Sequence, residues 1–176
     1  MIVFTGSSSI RLWKSLEQDF SSHRVLNRGF GGSILPDVIR YAGEVILKYK
    51  PKQAVIYCGE NDLAADSSIN GKTVLKRFKI LTGIIHDSLP DTKILFIALK
   101  PSPSRIRLLE EIRDANRRIR RYIKHRKYMG YADVFTPMLG PDGLPAERFF
   151  VKDRLHMAPE GYKIWREVVN PLLIRD

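Results

Sequence analysis

The sequence predicts a three-layer α/β/α sandwich with a central parallel sheet of about five strands. Short apolar runs of strand length alternate along the chain with longer segments of helical periodicity. The runs are largely apolar throughout, as expected of strands that helices cover on both faces. Helices between successive strands indicate parallel pairing, because each helix returns the chain to the same end of the sheet.

Each element follows from a local pattern. The strand runs are rich in Val, Ile and Phe, and they are predicted at residues 2–5, 24–27, 53–57, 93–99 and 131–134. The helical segments carry apolar residues three and four positions apart, and they are predicted at residues 10–20, 35–49, 73–89, 105–127 and 159–169. Pro51 and Pro90 follow the second and third helices and end them, because the residue before a proline avoids the helical region.

Length and composition indicate one globular domain over residues 1–176, of which 44% are hydrophobic. The longest apolar runs, such as residues 94–99, fall far short of the ~18 residues that a membrane span needs. The first residues lack the positive region of a secretory signal, so we expect a cytoplasmic or already processed protein, with secretion after processing left open. Cys58 is the single cysteine, and its apolar setting favours a buried structural thiol.

The formal net charge of +11 is concentrated in the predicted helix at residues 105–127. This helix is amphipathic, with isoleucines and leucine on one face and arginines and lysine on the other. The basic face is interpreted as a solvated surface, with an anionic partner as the alternative. No nucleic-acid-binding motif accompanies it, so a nucleic-acid partner is not expected, while a homodimer is left open.

Four short segments far apart in sequence together supply what an acyl-transfer site needs. They are Gly6–Ser9, Asn27–Gly32, Gly59–Asp62 and Asp153–His156. A serine nucleophile needs a base, the base needs an orienting carboxylate, and the oxyanion needs N–H donors. Three of the segments directly follow predicted strands, where ligands bind in open parallel sheets.

These segments resemble the four blocks of the SGNH hydrolases, also called the GDSL esterase and lipase family, over residues 3 to about 162. The resemblance implies a flavodoxin-like sheet and a serine esterase. It identifies Ser8 as the nucleophile, although Ser7 and Ser9 stand where the family has aspartate and leucine. Ser7 and Ser9 are interpreted as turn and helix-capping residues.

The resemblance also implies the remaining site residues. Asp153 and His156 reproduce the family's Asp-x-x-His and complete a catalytic triad with Ser8. The oxyanion hole is expected to consist of the Ser8 and Gly32 N–H groups and the Asn61 side-chain amide, with Gly31 as a near-equal candidate for Gly32.

Two other motifs are excluded. The Gly71-Lys72-Thr73 sequence lacks the earlier glycine of a phosphate-binding loop, because position 66 is Asp66. The glycine of an α/β-hydrolase nucleophile elbow is absent, because position 10 is Ile10.

The resemblance implies hydrolysis of a carboxylic ester, with short acyl or acetyl esters of a sugar, lipid or small alcohol favoured, and it requires no cofactor or metal. Candidate pocket residues are Arg11, Phe30, Ala65 and Pro101, and the segment 100–103 is a plausible wall. Two alternatives are a non-catalytic module that binds an anionic polymer through the basic helix, and a small nucleic-acid-associated protein. The complete set of site residues argues against the binding module.

Overall fold

The computed structural model describes residues 1–175. Its central sheet has five parallel strands in the order β2-β1-β3-β4-β5. The strands are β1 (Ile2–Gly6), β2 (Val25–Gly29), β3 (Gln53–Tyr57), β4 (Lys93–Ile97) and β5 (Met129–Ala132). This is the strand order of a flavodoxin-like sheet, which confirms the predicted α/β/α sandwich.

Helices connect the strands and cover both faces of the sheet. They are α1 (Ser8–Arg11), α2 (Leu16–Asp19), α3 (Leu35–Arg40), α4 (Ala42–Val45), α5 (Glu60–Ala65), α6 (Gly71–Ser88), α7 (Leu109–Ile123) and α8 (Pro159–Val169). Helices α3, α6 and α7 pack in a row, in which α6 touches both of the others. In the part of the chain that the structure describes, no helix has the length and apolarity needed to cross a membrane.

Aromatic side chains fill much of the core where the first and last helices meet the sheet. Trp13 contacts Phe4 of β1 and Trp165 of α8, with ring centroids 6.0 and 5.8 Å apart. Trp165 also contacts Tyr57 at the end of β3, at 4.7 Å. All four side chains are buried. This packing fixes the chain on either side of β1, from which the first candidate site segment emerges.

Two predicted helices are interrupted. The segment 10–20 forms α1 and α2 with a break between them, where Trp13 Nε1 and Ser15 Oγ both donate to Asp19 Oδ2 at 2.6 Å. The segment 35–49 is broken after Arg40 and again at Ile46, before a short 3₁₀ turn at Leu47–Tyr49. In the first case these side-chain hydrogen bonds hold the residues of the break against α2. In the second case Gly43, Val45 and Ile46 have lower helix propensity than alanine or leucine.

The basic helix is shorter than predicted. It begins at Leu109 rather than at residue 105 and ends at Ile123. A 3₁₀ turn at Pro103–Leu108 precedes it, and Arg105 has non-helical dihedral angles within that turn. Arg105 is therefore free to extend toward the loop that follows β3, with consequences for the site.

The register of the sheet sets the position of the site. Gly6 at the end of β1 lies opposite Gly29 of β2 and Tyr57 of β3. The three loops that follow these strands therefore leave the sheet at the same level. They contain the first three candidate segments.

Candidate active site

The first segment turns sharply from β1 into α1. Gly6 has a φ of +126°, and a Cβ there would lie 1.8 Å from the carbonyl oxygen of Tyr57. Only glycine fits this position. Ser7 N–H donates to that same carbonyl at 3.0 Å, and Ser8 begins α1.

The structure separates the three consecutive serines. Ser7 and Ser9 are buried, whereas Ser8 is partly exposed. Ser7 occupies the N-cap position of α1 without a side-chain capping hydrogen bond. Ser9 lies inside the helix, not at its cap as expected, and its carbonyl accepts a hydrogen bond from Tyr162. Ser8 is the serine whose hydroxyl meets a histidine.

The fourth segment is a tight loop before α8. An isolated bridge between Phe150 and Met157 closes its base, and Val151 N–H donates to the His156 carbonyl at 2.9 Å. Arg154 has a φ of +60°, in the left-handed region that few residues other than glycine adopt. Its carbonyl accepts from Ser104 N–H at 3.0 Å, which ties the loop to the segment after β4.

Ser8, His156 and Asp153 form a continuous chain of hydrogen bonds. His156 Nε2 lies 3.1 Å from Ser8 Oγ, and His156 Nδ1 lies 2.5 Å from Asp153 Oδ2. The other Asp153 oxygen accepts the backbone N–H groups of Leu155 and His156, both at 2.9 Å. The fold thus brings Ser8 and His156 together although they are 148 residues apart in sequence.

The carboxylate of Asp153 stays ionised. Burial alone would raise its pKa, but the hydrogen bonds from the His156 ring and from the backbone outweigh this and lower the pKa to about 2. An ionised carboxylate only accepts hydrogen bonds, so Nδ1 of His156 is the donor. In a neutral ring, Nε2 then carries the free lone pair, and it faces the Ser8 hydroxyl.

The glycine-rich loop after β2 lies against the end of β1 and against α1, since Phe30 N–H donates to the Gly6 carbonyl at 2.9 Å and Asn27 Nδ2 donates to the Ile10 carbonyl at 2.7 Å. Gly32 has a φ of +72°, and its N–H makes no backbone hydrogen bond within residues 1–175. A Cβ at Gly31 would instead meet the Arg11 guanidinium at 3.2 Å. Of the two candidate glycines, Gly32 is thus the one with the unusual backbone conformation.

The side-chain amide of Asn61 is held in one orientation. Its Nδ2 donates to the Ser33 carbonyl at 3.1 Å, and its Oδ1 accepts from Arg105 Nη2 at 2.9 Å. Arginine is only a donor, so the oxygen of the amide must face Arg105 and the nitrogen must face the loop at Gly32. The structure therefore brings the third segment against the second.

Behind Asn61 lies a buried charge network. Glu60 accepts hydrogen bonds from Lys100 Nζ at 2.7 Å, from Ser102 Oγ at 3.0 Å and from the Tyr57 hydroxyl, and it pairs with Arg105 at 3.1 Å. Burial alone would raise the pKa of Glu60, but the charges of Lys100 and Arg105 outweigh it and lower the pKa. The carboxylate is thus ionised and fully occupied.

Sequence reasoning did not find this network. Glu60 and Lys100 are both buried in the structure, and charged residues are rarely buried unless they are paired. The signal was Lys100 at the end of an apolar run, directly before Pro101, but nothing local indicated its partner 40 residues away.

The Asp62 side chain joins the third segment to the backbone that follows the second segment. Its Oδ2 accepts from Leu35 N–H at 2.9 Å, and its Oδ1 pairs with Arg77 at 2.7 Å. Burial raises the pKa of this carboxyl, and the hydrogen bonds from Arg77 and Leu35 oppose the rise. Asp62 thereby holds the start of α3 against the start of α5.

The profile of the GDSL-like Lipase/Acylhydrolase family matches residues 5–164. The chain belongs to this family. It is an SGNH-type hydrolase, and membership of this lipase and acylhydrolase family indicates ester hydrolysis in general. A comparison of the sequence with curated proteins finds no match.

Solved structures of related hydrolases share the fold. A GDSL-like lipase from Bacteroides thetaiotaomicron is similar with a TM-score of 0.84 and 21% identity, over 97% of this chain and 86% of that chain. A lipase/acylhydrolase from Enterococcus faecalis gives 0.73 and 20%, over 99% and 97%. A catalytic mutant of an acetylxylan esterase from Geobacillus stearothermophilus gives 0.74 and 13%, over 97% and 92%. At these identities, the likeness concerns the fold.

The candidate pocket residues of this hydrolase differ in their positions. Arg11 and Ala65 are exposed, and Phe30 is half-buried beside Tyr41. Pro101 is buried together with Lys100, so this part of the expected wall lies behind Asn61. The segment after β4 therefore supports the site from within.

Proposed function

We propose that the protein is a serine esterase that hydrolyses short acyl esters, acetyl esters foremost, through an acyl-enzyme. The observation that carries this proposal is the chain of hydrogen bonds from Ser8 through His156 to Asp153, at 3.1 and 2.5 Å. Nucleophile, base and orienting carboxylate at such distances are the arrangement that acyl transfer requires.

The first step is attack of Ser8 Oγ on the ester carbonyl carbon. His156 Nε2 takes the hydroxyl proton as the new carbon–oxygen bond forms, and the ionised Asp153 stabilises the resulting imidazolium. The imidazolium then gives its proton to the leaving alcohol, and the acyl group stays on Ser8. Water attacks this acyl-enzyme with the same histidine as base, which releases the carboxylic acid and restores the enzyme.

The developing oxyanion is assigned to three donors: the N–H groups of Ser8 and Gly32 and the amide of Asn61. The opening of α1 at Ser8, the positive φ of Gly32 and the fixed Asn61 orientation support this assignment. Donors that are already oriented stabilise the transition state without reorganisation.

The exposure of the site supports a small acyl group. The His156 side chain is 32% exposed and that of Asp153 is 48% exposed, so the triad lies near the surface. A shallow site reaches acyl groups displayed on a larger molecule, such as acetyl groups on a sugar. The structural similarity to an acetylxylan esterase agrees with this substrate class.

Hydrolysis of 4-nitrophenyl acetate tests the proposal. Ser8→Ala is expected to lower kcat by about 10⁴-fold or more, because the nucleophile is lost. Ser9→Ala is the matched control, because Ser9 is adjacent, buried and without contact to His156; its activity should stay within about threefold of wild type. An organophosphonate should label Ser8 in wild type and leave Ser8→Ala unlabelled by mass spectrometry.

Either of two results would overturn the proposal. Full activity in Ser8→Ala would remove the nucleophile assignment. Absence of turnover and of labelling in wild type with esters of several acyl lengths would favour a non-catalytic module.

A further inference from the structure

A concave cleft of about 960 Å³ lies between α7 and the edge strand β5. Its wall is the basic face of α7, and its floor contains Tyr131 of β5 and Phe135 just beyond it. The triad residues are not among those that line the cleft. The sequence indicated a basic helix face, and the structure shows that the face borders a cavity.

The cleft contains an excess of positive charge. Five arginine and lysine side chains line it, namely Arg113, Arg117, Arg120, Arg121 and Lys124, together with one carboxylate, Asp133. Both oxygens of Asp133 accept hydrogen bonds from Thr136, one from its N–H and one from its hydroxyl. Asp133 is thus engaged in its own turn and is not paired with these cations.

Three of the cations lack a carboxylate partner. Within residues 1–175, Arg120, Arg121 and Lys124 form no ion pair, and all three are exposed. Arg117 lies four residues before Arg121, and Arg120 lies four before Lys124, a spacing at which like charges destabilise a helix. The helix dipole favours cations in the last turn, but it does not account for their convergence with Arg113 on one cavity.

Two guanidinium groups lie on the aromatic floor. Arg113 Cζ is 5.0 Å from the centroid of the Phe135 ring, and Arg120 Cζ is 5.7 Å from that of Tyr131. Stacking on an aromatic face limits the orientations of a guanidinium group. Arg113 also donates through Nη2 to the Gly143 carbonyl at 3.1 Å and pairs through Nε with Glu110. Within residues 1–175, Arg120 is therefore the stacked group whose N–H edges stay available for an oxyanion. Arginine is suited to phosphate because its fork of donors matches two oxygens at once.

We propose that this cleft binds a small molecule that carries several linked phosphate groups. The unpaired cations, Arg120, Arg121 and Lys124, extend over about 6 Å of helix, which suits two or three linked phosphates. Arg113 and Arg117, which also pair with Glu110 and Asp114, extend the basic row to about 16 Å. The cavity volume suits a small ligand, since such sites occupy roughly 300 to 1,000 Å³. The site is separate from the proposed esterase chemistry and does not depend on it.

The same observations argue against two other anionic partners. A single-stranded nucleic acid uses open aromatic faces for base stacking, whereas guanidinium groups lie over Phe135 and Tyr131 here. A membrane surface is flat, and the cations line a concave cavity. Discrete phosphates fit the cleft better than either.

Calorimetric titration with inorganic tripolyphosphate tests the site. Wild type should bind one tripolyphosphate per chain. The variant Arg120→Gln/Lys124→Gln should bind at least about tenfold more weakly, because two charge-assisted contacts are lost. The matched control is Lys14→Gln/Arg24→Gln, which removes the same charge from two exposed residues near the opposite edge of the sheet and should bind within about twofold of wild type.

Circular dichroism and hydrolysis of the neutral 4-nitrophenyl acetate, both expected to be unchanged, verify that the variants fold. No binding by wild type would overturn the proposal, and so would equal weakening in the two double variants, which indicates general charge attraction. Citrate binding as tightly as tripolyphosphate would contradict a phosphate site. Tighter binding of a single-stranded oligonucleotide than of tripolyphosphate, at equal phosphate concentration, would make nucleic acid the partner instead.

Discussion

At the scale of single residues, the orientation of Asn61 depends on Arg105. The Asn61 amide would present oxygen or nitrogen to the proposed oxyanion site with similar ease if nothing distinguished its two ends. Two groups distinguish them: Arg105 Nη2 donates to Oδ1 at 2.9 Å, and the Ser33 carbonyl accepts from Nδ2 at 3.1 Å. Glu60 in turn fixes the guanidinium through the ion pair at 3.1 Å. Arg105 is thus a positioning residue that acts through Asn61.

We expect Arg105→Met to lower kcat by roughly tenfold or more with little change in KM, because in the proposed mechanism Asn61 is a donor to the transition state. The measurement is the steady-state kinetics of 4-nitrophenyl acetate hydrolysis. The same substitution made in an Asn61→Ala background separates positioning from general damage. If Arg105 acts through Asn61, it has almost no further effect there, whereas a full additional loss in the double variant would contradict the positioning role.

Asp153 gives the folded state a dependence on acid. Its pKa of about 2 lies below the ordinary value of 3.8, so the folded state binds this proton less readily than the unfolded state. The resulting stability is fully present above about pH 4 and is lost as the pH falls through about 2. The thermal unfolding temperature of wild type should therefore fall more than that of Asp153→Asn as the pH is lowered over this interval. Parallel pH profiles of the two proteins would show that Asp153 is not stabilised as its contacts imply.

At the scale of elements, Gly6 decides how β1 joins α1. A Cβ at this position would lie 1.8 Å from the Tyr57 carbonyl oxygen, and the φ of +126° is itself strained for any other residue. Gly6→Ala is expected to cost about 4 kcal/mol or more in the free energy of unfolding, measured with urea. In contrast, Gly83 lies inside α6, and a Cβ there meets nothing within 4 Å.

Gly83→Ala should therefore stabilise the protein by about 0.5 to 1 kcal/mol, since alanine forms helix better than glycine. The same glycine-to-alanine change is thus expected to lower the free energy of unfolding at position 6 and to raise it at position 83. A mild effect of Gly6→Ala would mean that β1 and β3 separate easily at this end.

Elements were predictable from sequence where a local pattern decides them. Strand β3 and helix α8 were predicted with the bounds that the structure has, because a buried apolar run and a proline-started amphipathic segment are local signals. The break between α1 and α2 was not predicted, because Ile10, Trp13, Leu16 and Phe20 keep a helical spacing across it. For the site, the four blocks were recognised by their resemblance to the family, whereas the support of Asn61 by Arg105 spans 44 residues and needed the structure.

At the scale of the whole molecule, the net charge of +11 acts on every charged substrate that approaches. An excess of one sign raises the local concentration of oppositely charged ligands, and salt screens the effect over a Debye length of about 10 Å at 0.1 M. The cations of the α7 cleft contribute to this field, although they line a different cleft from the proposed active site.

We expect kcat/KM for an anionic ester, 4-nitrophenyl hemisuccinate, to fall several-fold as the salt concentration rises from about 0.01 to 0.5 M. The neutral 4-nitrophenyl propionate should change by less than about twofold over the same range, because it has no charge for the field to attract. Since the effect belongs to the summed charge, Arg120→Gln/Lys124→Gln and Lys14→Gln/Arg24→Gln should each make the hemisuccinate curve shallower by a similar amount. Equal salt dependence for the two esters in wild type would show that the charge excess does not reach the site, and a change confined to the α7 variant would show that the cleft, not the net charge, guides the substrate.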